Sequence, residues 1–286
     1  MPARWGILGC AYMAKEYSKV LLSKGVMPHV YSRNLGSSNV QSFEAQFPSL
    51  RVSSFADLSE DIENWIVCTS IESHEHVCSM LQGRIYCEKP YAHTDSYDVS
   101  RNIFIVMNRR YYHWVKTIAD TIARQEIVKI ITCIPEKSIE ALITQSIHVI
   151  DLLWYLTGPF GQATRVGDIS PSFVFSTQRD IPVVVNMNYG SHENFSIRFY
   201  ARDGKVYEAK PLEAFSVAEG MEVREPDEVV TVRTYKPIVR QLPCVSSKFK
   251  PGLSELIDDL VLGLPSRLPT LQEHRAVHSW MTVQMQ

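Results

Sequence analysis

The feature that most constrains the fold is a regular alternation of short apolar strands with helices over the first hundred residues. Asn64–Thr69 is a continuous apolar run, which is typical of a strand covered on both faces. Repeated strand–helix–strand units predict an α/β domain built on a doubly wound parallel sheet with right-handed crossovers. The other predicted strands are Trp5–Leu8, a segment beginning at Val30–Tyr31, Arg51–Phe55, Arg84–Cys87 and Ile103–Met107, and the predicted helices are Ala11–Ser23, Ser38–Phe47 and His74–Leu81.

The pattern changes near residue 110, so we predict one domain over residues 1–110 and a second over 111–286. Within 195–200, aromatic and aliphatic side chains alternate with polar ones, as in a sheet with one covered face. This predicts a C-terminal α+β domain with a large, mostly antiparallel open sheet. Its other predicted elements are the strands Val183–Tyr189 and Val229–Tyr235, a hairpin turn at Asp203–Gly204, and the helices Tyr111–Arg124, Leu253–Leu262 and His274–Met285.

Composition narrows the classes of partner and compartment. The chain has 286 residues, 45% of them hydrophobic, with a formal net charge of -2, so nucleic acid and anionic membranes are poor partners. We see no signal-peptide pattern at the N terminus and no apolar run near the roughly 20 residues of a spanning helix. The six cysteines are scattered without a C-x-x-C pair, which favours reduced thiols in a cytoplasmic protein.

A small-residue turn joins the first strand to the first helix. It reads Gly9–Cys10–Ala11–Tyr12–Met13, followed by Ala14. A turn of this kind lets the backbone and the helix N-terminus approach a pyrophosphate, so it predicts a Rossmann dinucleotide site. Ala11 stands where a second glycine is usual, and a strand–helix turn without a ligand is the alternative interpretation.

The residues after the second strand predict which dinucleotide is bound. Ser32, Arg33 and Asn34 occupy the position that reads the ribose 2′ group, and no carboxylate lies between Pro28 and Glu44. A 2′-hydroxyl would lack its usual acceptor, whereas Arg33 and Ser32 could hold a 2′-phosphate. We therefore expect NADP as the preferred cofactor, with NAD as the alternative if Arg33 is only a solvated loop residue.

Glu88–Lys89–Pro90 follows the fifth predicted strand. A lysine at the carboxyl end of such a strand is a candidate proton donor or acceptor. Its ordinary pKa, about 10.4, is too high for that role, but desolvation and a positive nicotinamide ring would lower it. Glu88 would oppose this shift. Taken alone, the tripeptide could equally be a charged turn.

Together these segments resemble the glucose-fructose oxidoreductase, inositol dehydrogenase and MocA family. The resemblance runs from residue 4 to about 160 and weakly through the final helices. The matching segments are WGILGCAYMA, YSRN, CTSIESHEHV, CEKPYA, MNRRYY and SIHVIDLLWYLTG.

The resemblance implies a two-domain NAD(P)-dependent oxidoreductase acting on a sugar, nucleotide sugar or cyclitol. Lys89 would lie beside the nicotinamide and the substrate, and His148 would face the same site, with Asp151 as a structural or orienting partner. From the residues alone, His148 could equally be a core histidine satisfied by its neighbour. Relatives of this kind form homodimers or homotetramers through the C-terminal sheet. The resemblance also places further residues near cofactor or substrate: Thr69, Ser70, His74, Glu88 and Arg109 near the cofactor, and Asn108 and Thr144 near the substrate.

The chain departs from the family pattern at Thr144, where an aspartate is usual, and at Ser146, where glycine is usual. Two alternatives therefore stay open: a reductase of an unsaturated substrate, similar to the biliverdin reductases, and a non-catalytic NADP-binding regulator. We expect no metal site, because His74 and His76 are two residues apart and do not share a helix face.

Overall fold

The computed structural model describes residues 3–91, 102–136, 145–168, 170–226, 229, 231–243 and 248–285. The chain divides into two compact units. One comprises Met1–Tyr111 with Ser247–His278, and the other Tyr112–Ser246 with Ser279–Gln286. The predicted second domain runs from residue 111 to the C terminus, whereas the structure groups 247–278 with the N-terminal sheet.

The first unit contains the predicted parallel sheet. Among the described residues it has six strands in the order β3-β2-β1-β4-β5-β6, and all neighbours run parallel. The order reverses between β1 and β4, which is the crevice where sheets of this kind bind ligands. The strands are β1 (Trp5–Leu8), β2 (His29–Ser32), β3 (Val52–Ser54), β4 (Asn64–Val67), β5 (Arg84–Glu88) and β6 (Ile103–Val106).

Helices cover this sheet, and their apolar faces pack against its strands in one shared core. In α1 (Tyr12–Ser23), Tyr17, Val20 and Leu21 are fully buried and pack with Leu253 and Ile257 of α6 (Leu253–Val261). These core contacts explain why residues 247–278 belong to the first unit. The other α-helices in the described residues are α2 (Ser38–Gln46), α3 (His74–Met80), α4 (His113–Ala123), α5 (Ile147–Thr157) and α7 (Leu271–Gln284).

The second unit contains the predicted open sheet, which is antiparallel except for one pair. Within the described residues its order is β14-β13-β12-β11-β7-β10-β9-β8, and β7 and β10 are parallel. The strands are β7 (Ile127–Glu136), β8 (Thr164–Val166), β9 (Ser172–Ser176), β10 (Pro182–Tyr189), β11 (Ser196–Ala201), β12 (Val206–Ala209), β13 (Phe215–Arg224) and β14 (Thr234–Leu242).

The two faces of this sheet differ. One face packs on helices: Trp114 of α4 stacks on Phe215 with ring centroids 5.1 Å apart, and Trp154 of α5 contacts Phe160 beside Phe175. The opposite face, called here the open face, carries side chains that stay partly or fully exposed. They include Ile131, Cys133, Val184, Asn186 and Arg198.

Most predicted elements are confirmed within one or two residues; the predicted helix His274–Met285 begins three residues earlier, at Leu271, and the predicted strand Val229–Tyr235 is wrong over most of its length. The predicted helix Tyr111–Arg124 begins at His113, because Asn108–Tyr111 forms a separate 3-10 turn and Tyr112 is extended. The predicted strand Val229–Tyr235 begins at Thr234, which pairs with Arg224 at the end of β13. The Asp203–Gly204 turn is confirmed between β11 and β12, where Gly204 has φ +86°.

None of the helices in the described part of the chain is long and apolar enough to cross a membrane. No disulfide bond joins the five cysteines in the described residues, Cys10, Cys68, Cys78, Cys87 and Cys133, and Cys244 lies outside those residues.

Candidate functional site

The turn at Gly9 is held between two neighbouring strands. The Gly9 N–H donates to the Tyr31 carbonyl (2.8 Å), and the Cys68 N–H donates to the Leu8 carbonyl (2.8 Å). Gly9 has φ +105°, and a Cβ there would lie 2.6 Å from the Cys68 oxygen. Only glycine fits this conformation and this close approach, because the atoms in the way belong to the backbone.

The N-terminus of α1, directly after this turn, is exposed and uncapped. Its N-cap residue, Ala11, offers no side-chain hydrogen bond, and the first turn of the helix carries no acidic residue. By contrast, the N-cap Ser37 of α2 accepts a hydrogen bond from the Val40 N–H (3.3 Å). The unsatisfied N–H groups and the helix dipole favour an anion at α1. Tyr12 is 63% exposed there, so a diphosphate has access.

Cys10 is buried beneath the turn. Burial, together with the negative charge of Glu44, raises the pKa of its thiol to about 11, and the Ser32 hydroxyl opposes the shift. Cys10 therefore remains protonated near neutral pH. Its place in the turn suits a main-chain contact with a cofactor rather than thiolate chemistry.

The residues predicted to read the 2′ group lie at the end of β2. Arg33 is exposed, Ser32 is partly buried, and the Asn34 side chain accepts a hydrogen bond from the Gly36 N–H (3.0 Å). Glu44, the first acidic residue after β2, accepts from the Val52 N–H (3.2 Å) at the start of β3. The loop thus presents a guanidinium group rather than a carboxylate.

Thr69 and Ser70 follow β4, at the other side of the crevice. Ser70 is exposed, while Thr69 is partly buried. The Thr69 hydroxyl oxygen is buried without a hydrogen-bond partner in the part of the chain that the structure describes. Because buried hydroxyls are normally satisfied, an orphaned one at this position supports a ligand that supplies the missing partner.

His74 connects the ends of β4 and β5. Its Nδ1 lies 3.1 Å from the Pro90 carbonyl oxygen and its Nε2 lies 3.1 Å from the Thr69 carbonyl oxygen. Burial lowers the pKa of this imidazole, and the two carbonyl contacts oppose the shift. Since both ring nitrogens face the main chain, His74 links the segment that follows β4 to the segment that follows β5.

Lys89 is partly buried and follows β5 directly. On its C-terminal side, the Pro90 carbonyl is held by His74, and the Tyr91 N–H lies 3.4 Å from His274 Nε2. These contacts fix the backbone that carries the amine. A fixed backbone is what a proton-transfer residue requires.

Glu88, predicted near the cofactor, binds α1. The Tyr17 hydroxyl donates to its Oε1 at 2.6 Å. Burial raises the pKa of Glu88, against the opposing effects of Tyr17, Lys250 and Lys89. Glu88 therefore joins the end of β5 to the helix that follows the Gly9 turn.

The segment Met107–Arg110, the start of the MNRRYY match, is largely engaged in packing within the first unit. Asn108, predicted to contact substrate, is buried, and its amide donates to the Pro251 carbonyl (2.9 Å). Arg110 is also buried rather than a surface charge, and it donates to the Arg267 carbonyl (2.9 Å). Arg109, predicted near the cofactor, is partly buried.

In the second unit, His148 lies in the first turn of α5 and is 9% exposed, with Asp151 buried one turn later. Thr144 lies outside the described residues. A carboxylate that we did not predict lies beside this helix: Ser146 donates to Glu136 Oε1 at 2.6 Å, and both residues are buried. Glu136 continues the helix-facing positions of β7, and that period-two signal could have revealed it.

A cavity of about 300 Å³ lies on the open face of the second unit's sheet. Its lining includes Cys133, Asn188 and Glu193, and none of the predicted site residues. Burial and Glu193 raise the pKa of the Cys133 thiol to about 11. Within the described residues, this cavity included, no group of three or more His, Cys, Asp or Glu side chains is arranged to hold a metal ion.

Solved structures similar to this chain span nearly its whole length. A dehydrogenase (MviM) from Clostridium difficile is 16% identical, covers 100% of this chain and 98% of its own, and has a TM-score of 0.73. The chain therefore shares the fold of this dehydrogenase. An oxidoreductase from Agrobacterium radiobacter, solved with NAD+, L-tartaric acid and magnesium, is 13% identical over 99% of this chain and 94% of its own (TM-score 0.68).

A third similar structure is the UDP-N-acetylglucosamine 3-dehydrogenase GnnA from Acidithiobacillus ferrooxidans. It is 12% identical, covers 100% of this chain and 97% of its own, and has a TM-score of 0.67. No family model matches the chain, and no curated protein matches it significantly.

Proposed function

We propose that the chain is an NAD(P)-dependent oxidoreductase of the glucose-fructose oxidoreductase, inositol dehydrogenase and MocA family. The observation that carries this proposal is the uncapped, acid-free N-terminus of α1 directly after Gly9, at the point where the strand order reverses. The orphaned Thr69 hydroxyl at the same crevice supports it. The fold shared with the NAD+ complex from Agrobacterium radiobacter supports it further.

The first unit offers groups for each part of a dinucleotide. Main-chain N–H groups from Ala11 to Met13 would bind the diphosphate, and Arg33 with Ser32 would bind a 2′-phosphate, so NADP is preferred over NAD. Thr69 would hydrogen-bond the cofactor near the nicotinamide half. The bound nicotinamide would supply hydride transfer to or from a carbon of the substrate.

The proton that accompanies hydride transfer needs an acid–base group. Lys89 is proposed to take the hydroxyl proton during oxidation and to return it during reduction. His148 is proposed to exchange that proton, since an imidazole titrates near neutral pH. In the second unit, Glu136 and Ser146 would fix the start of the helix that carries His148.

The proposed substrate is a polyhydroxylated small molecule: a sugar, nucleotide sugar or cyclitol. The fold is shared with a UDP-N-acetylglucosamine 3-dehydrogenase, which supports this class. Hydride exchange at a carbinol or carbonyl carbon is the matching reaction.

Turnover measurements test this function. Wild type, Lys89→Ala and His148→Ala are assayed with sugars, cyclitols and nucleotide sugars and either NADP+ or NAD+, with exposed His192→Ala as the control. We expect kcat to fall roughly 10²–10⁴-fold in the first two variants while the cofactor Kd is kept. Cofactor binding without turnover of any substrate class would instead support the non-catalytic regulator, and turnover of unsaturated compounds alone would support the reductase.

We also propose that the chain forms a homodimer or homotetramer through the second unit's sheet. Beyond Ala218, β13 and β14 form a two-stranded ribbon that is exposed on both faces. Its register places Met221, Val223, Tyr235 and Val239 on one side, each about half exposed, as a continuation of the open face. Because an isolated ribbon is marginally stable in water, a second copy that packs on this apolar side would stabilise it.

A further inference from the structure

Lys250 lies against the start of α1, although 237 positions separate it from Met13. Its Nζ is 3.2 Å from the Met13 sulfur and 5.5 Å from the centroid of the Tyr12 ring. All three residues belong to the first unit. The ammonium is therefore brought to the same helix end that follows the Gly9 turn.

The backbone around Lys250 is fixed by contacts within the same unit. Asn108 donates its amide to the Pro251 carbonyl (2.9 Å), and the Leu253 N–H donates to the Lys250 carbonyl (3.0 Å). Leu253 is fully buried in the core beside α1. These contacts fix the backbone that carries the ammonium.

The contacts of the Lys250 ammonium with Met13 and Tyr12 are both weak, so the ammonium can still bind an anion. A thioether sulfur is a weak acceptor, and the face of an exposed aromatic ring adds little. Glu88 lies close enough for Lys250 to oppose the rise of its pKa, but Glu88 already accepts the Tyr17 hydroxyl. A lysine and an uncapped helix N-terminus are both positive, and placing them together is favourable when an anion lies between them.

We propose that Lys250 binds the diphosphate of the dinucleotide at the start of α1, beside Tyr12 and Met13. The inference rests on the proposed function, because it takes the dinucleotide as the anion. Lys250 would add a cation from residues 247–278 to a diphosphate site that otherwise consists of main-chain N–H groups. Asn108 then acts as a positioning residue for Lys250.

Affinity for the diphosphate tests the proposal without any turnover. NADPH, NADH and ADP-ribose are titrated into wild type, Lys250→Gln and Lys250→Arg by calorimetry at several salt concentrations. A charge-assisted hydrogen bond corresponds to roughly a tenfold to hundredfold change in Kd. We expect Lys250→Gln to weaken all three ligands by similar factors and to reduce the salt dependence, and Lys250→Arg to stay within a few-fold of wild type.

Lys248→Gln is the matched control, since Lys248 is exposed two residues earlier and the charge change is the same. It should bind like wild type. Arg33→Gln should weaken the binding of NADPH alone, which separates the contribution of the 2′-phosphate to affinity from that of the diphosphate.

The outcomes distinguish this proposal from the proposed function. If wild type binds none of the three ligands, the dinucleotide site itself is absent. If wild type binds them and Lys250→Gln binds equally well, or if Lys248→Gln loses as much as Lys250→Gln, the contact with Lys250 is wrong while the proposed function stands. Loss in both Lys250→Gln and Lys250→Arg with an unchanged salt dependence would assign Lys250 to support of Glu88 instead, and would also overturn the proposal.

Discussion

Replacing Gly9 with alanine tests the geometry of the turn most sharply. The added methyl group would meet the Cys68 carbonyl oxygen at 2.6 Å and the Cys68 carbonyl carbon at 3.0 Å, and Gly9 has φ +105°. A strained backbone conformation costs about 1–3 kcal/mol. Overpacking against backbone that cannot rotate away costs about 1–3 kcal/mol more. Gly9→Ala should therefore lower the free energy of unfolding by about 2–6 kcal/mol.

Gly25→Ala is the matched control. Gly25 also has positive φ, +73°, but a Cβ there would have no atom within 4 Å among the described residues. Its cost is the left-handed conformation alone, about 1–2 kcal/mol. Comparing the two variants separates the free-energy cost of the left-handed backbone conformation from the cost of the close approach to Cys68.

Thermal unfolding followed by circular dichroism measures the difference, and titration with NADPH measures the effect on the site. At about 2–4 °C per kcal/mol, Gly9→Ala should lower Tm by roughly 5–20 °C, and Gly25→Ala by only a few degrees. Gly9→Ala should also bind NADPH at least about tenfold more weakly, because the displaced turn moves the N–H groups of α1. Equal Tm values and equal NADPH affinities for both variants would refute the reasoning.

Three further predictions concern other parts of the molecule. Arg33→Gln should raise the Kd for NADPH about tenfold or more and leave NADH nearly unchanged, whereas the exposed Arg51→Gln should change neither; equal losses for both cofactors would contradict a 2′-phosphate contact. Burial raises the pKa of Glu88, so the folded chain binds that proton more tightly than the unfolded chain, and the free energy of unfolding should fall as pH rises above about 4.3 through the raised pKa. Denaturant titrations over that pH range should show that the free energy of unfolding depends less on pH in Glu88→Gln than in wild type. An unchanged pH dependence would contradict a raised pKa of Glu88. Met221→Glu should shift the sedimentation profile toward the monomer while Arg224→Glu, on the other side of the ribbon, should not; an unchanged profile for Met221→Glu would remove the ribbon from the interface.

The parallel sheet could be predicted because its strands are buried on both faces, which leaves continuous apolar runs such as Asn64–Val67. Gly9 could be predicted as well, since a tight strand–helix turn requires a residue that tolerates positive φ. Local patterns are sufficient for features of this kind, because their cause lies within a few residues of sequence.

Contacts between distant segments could not be predicted in the same way. Lys250 and Met13 are 237 positions apart, and Asn108 and Pro251 are 143 positions apart, so no periodicity connects them. The assignment of α6 to the first unit depends on the same long-range packing. Glu136 was missed because β7 itself was not predicted: Val128 and Lys129 are both exposed, and the alternation of buried positions that reaches Glu136 begins only at Ile130.

The central claim is that the chain binds a nicotinamide dinucleotide at the Gly9 turn. A crystal structure of the chain with NADP+ tests it most directly. We predict the diphosphate at the N-terminus of α1, the 2′-phosphate beside Arg33 and the nicotinamide ring beside Lys89. A dinucleotide bound elsewhere, or density that leaves the end of α1 empty at saturating NADP+, would contradict the account.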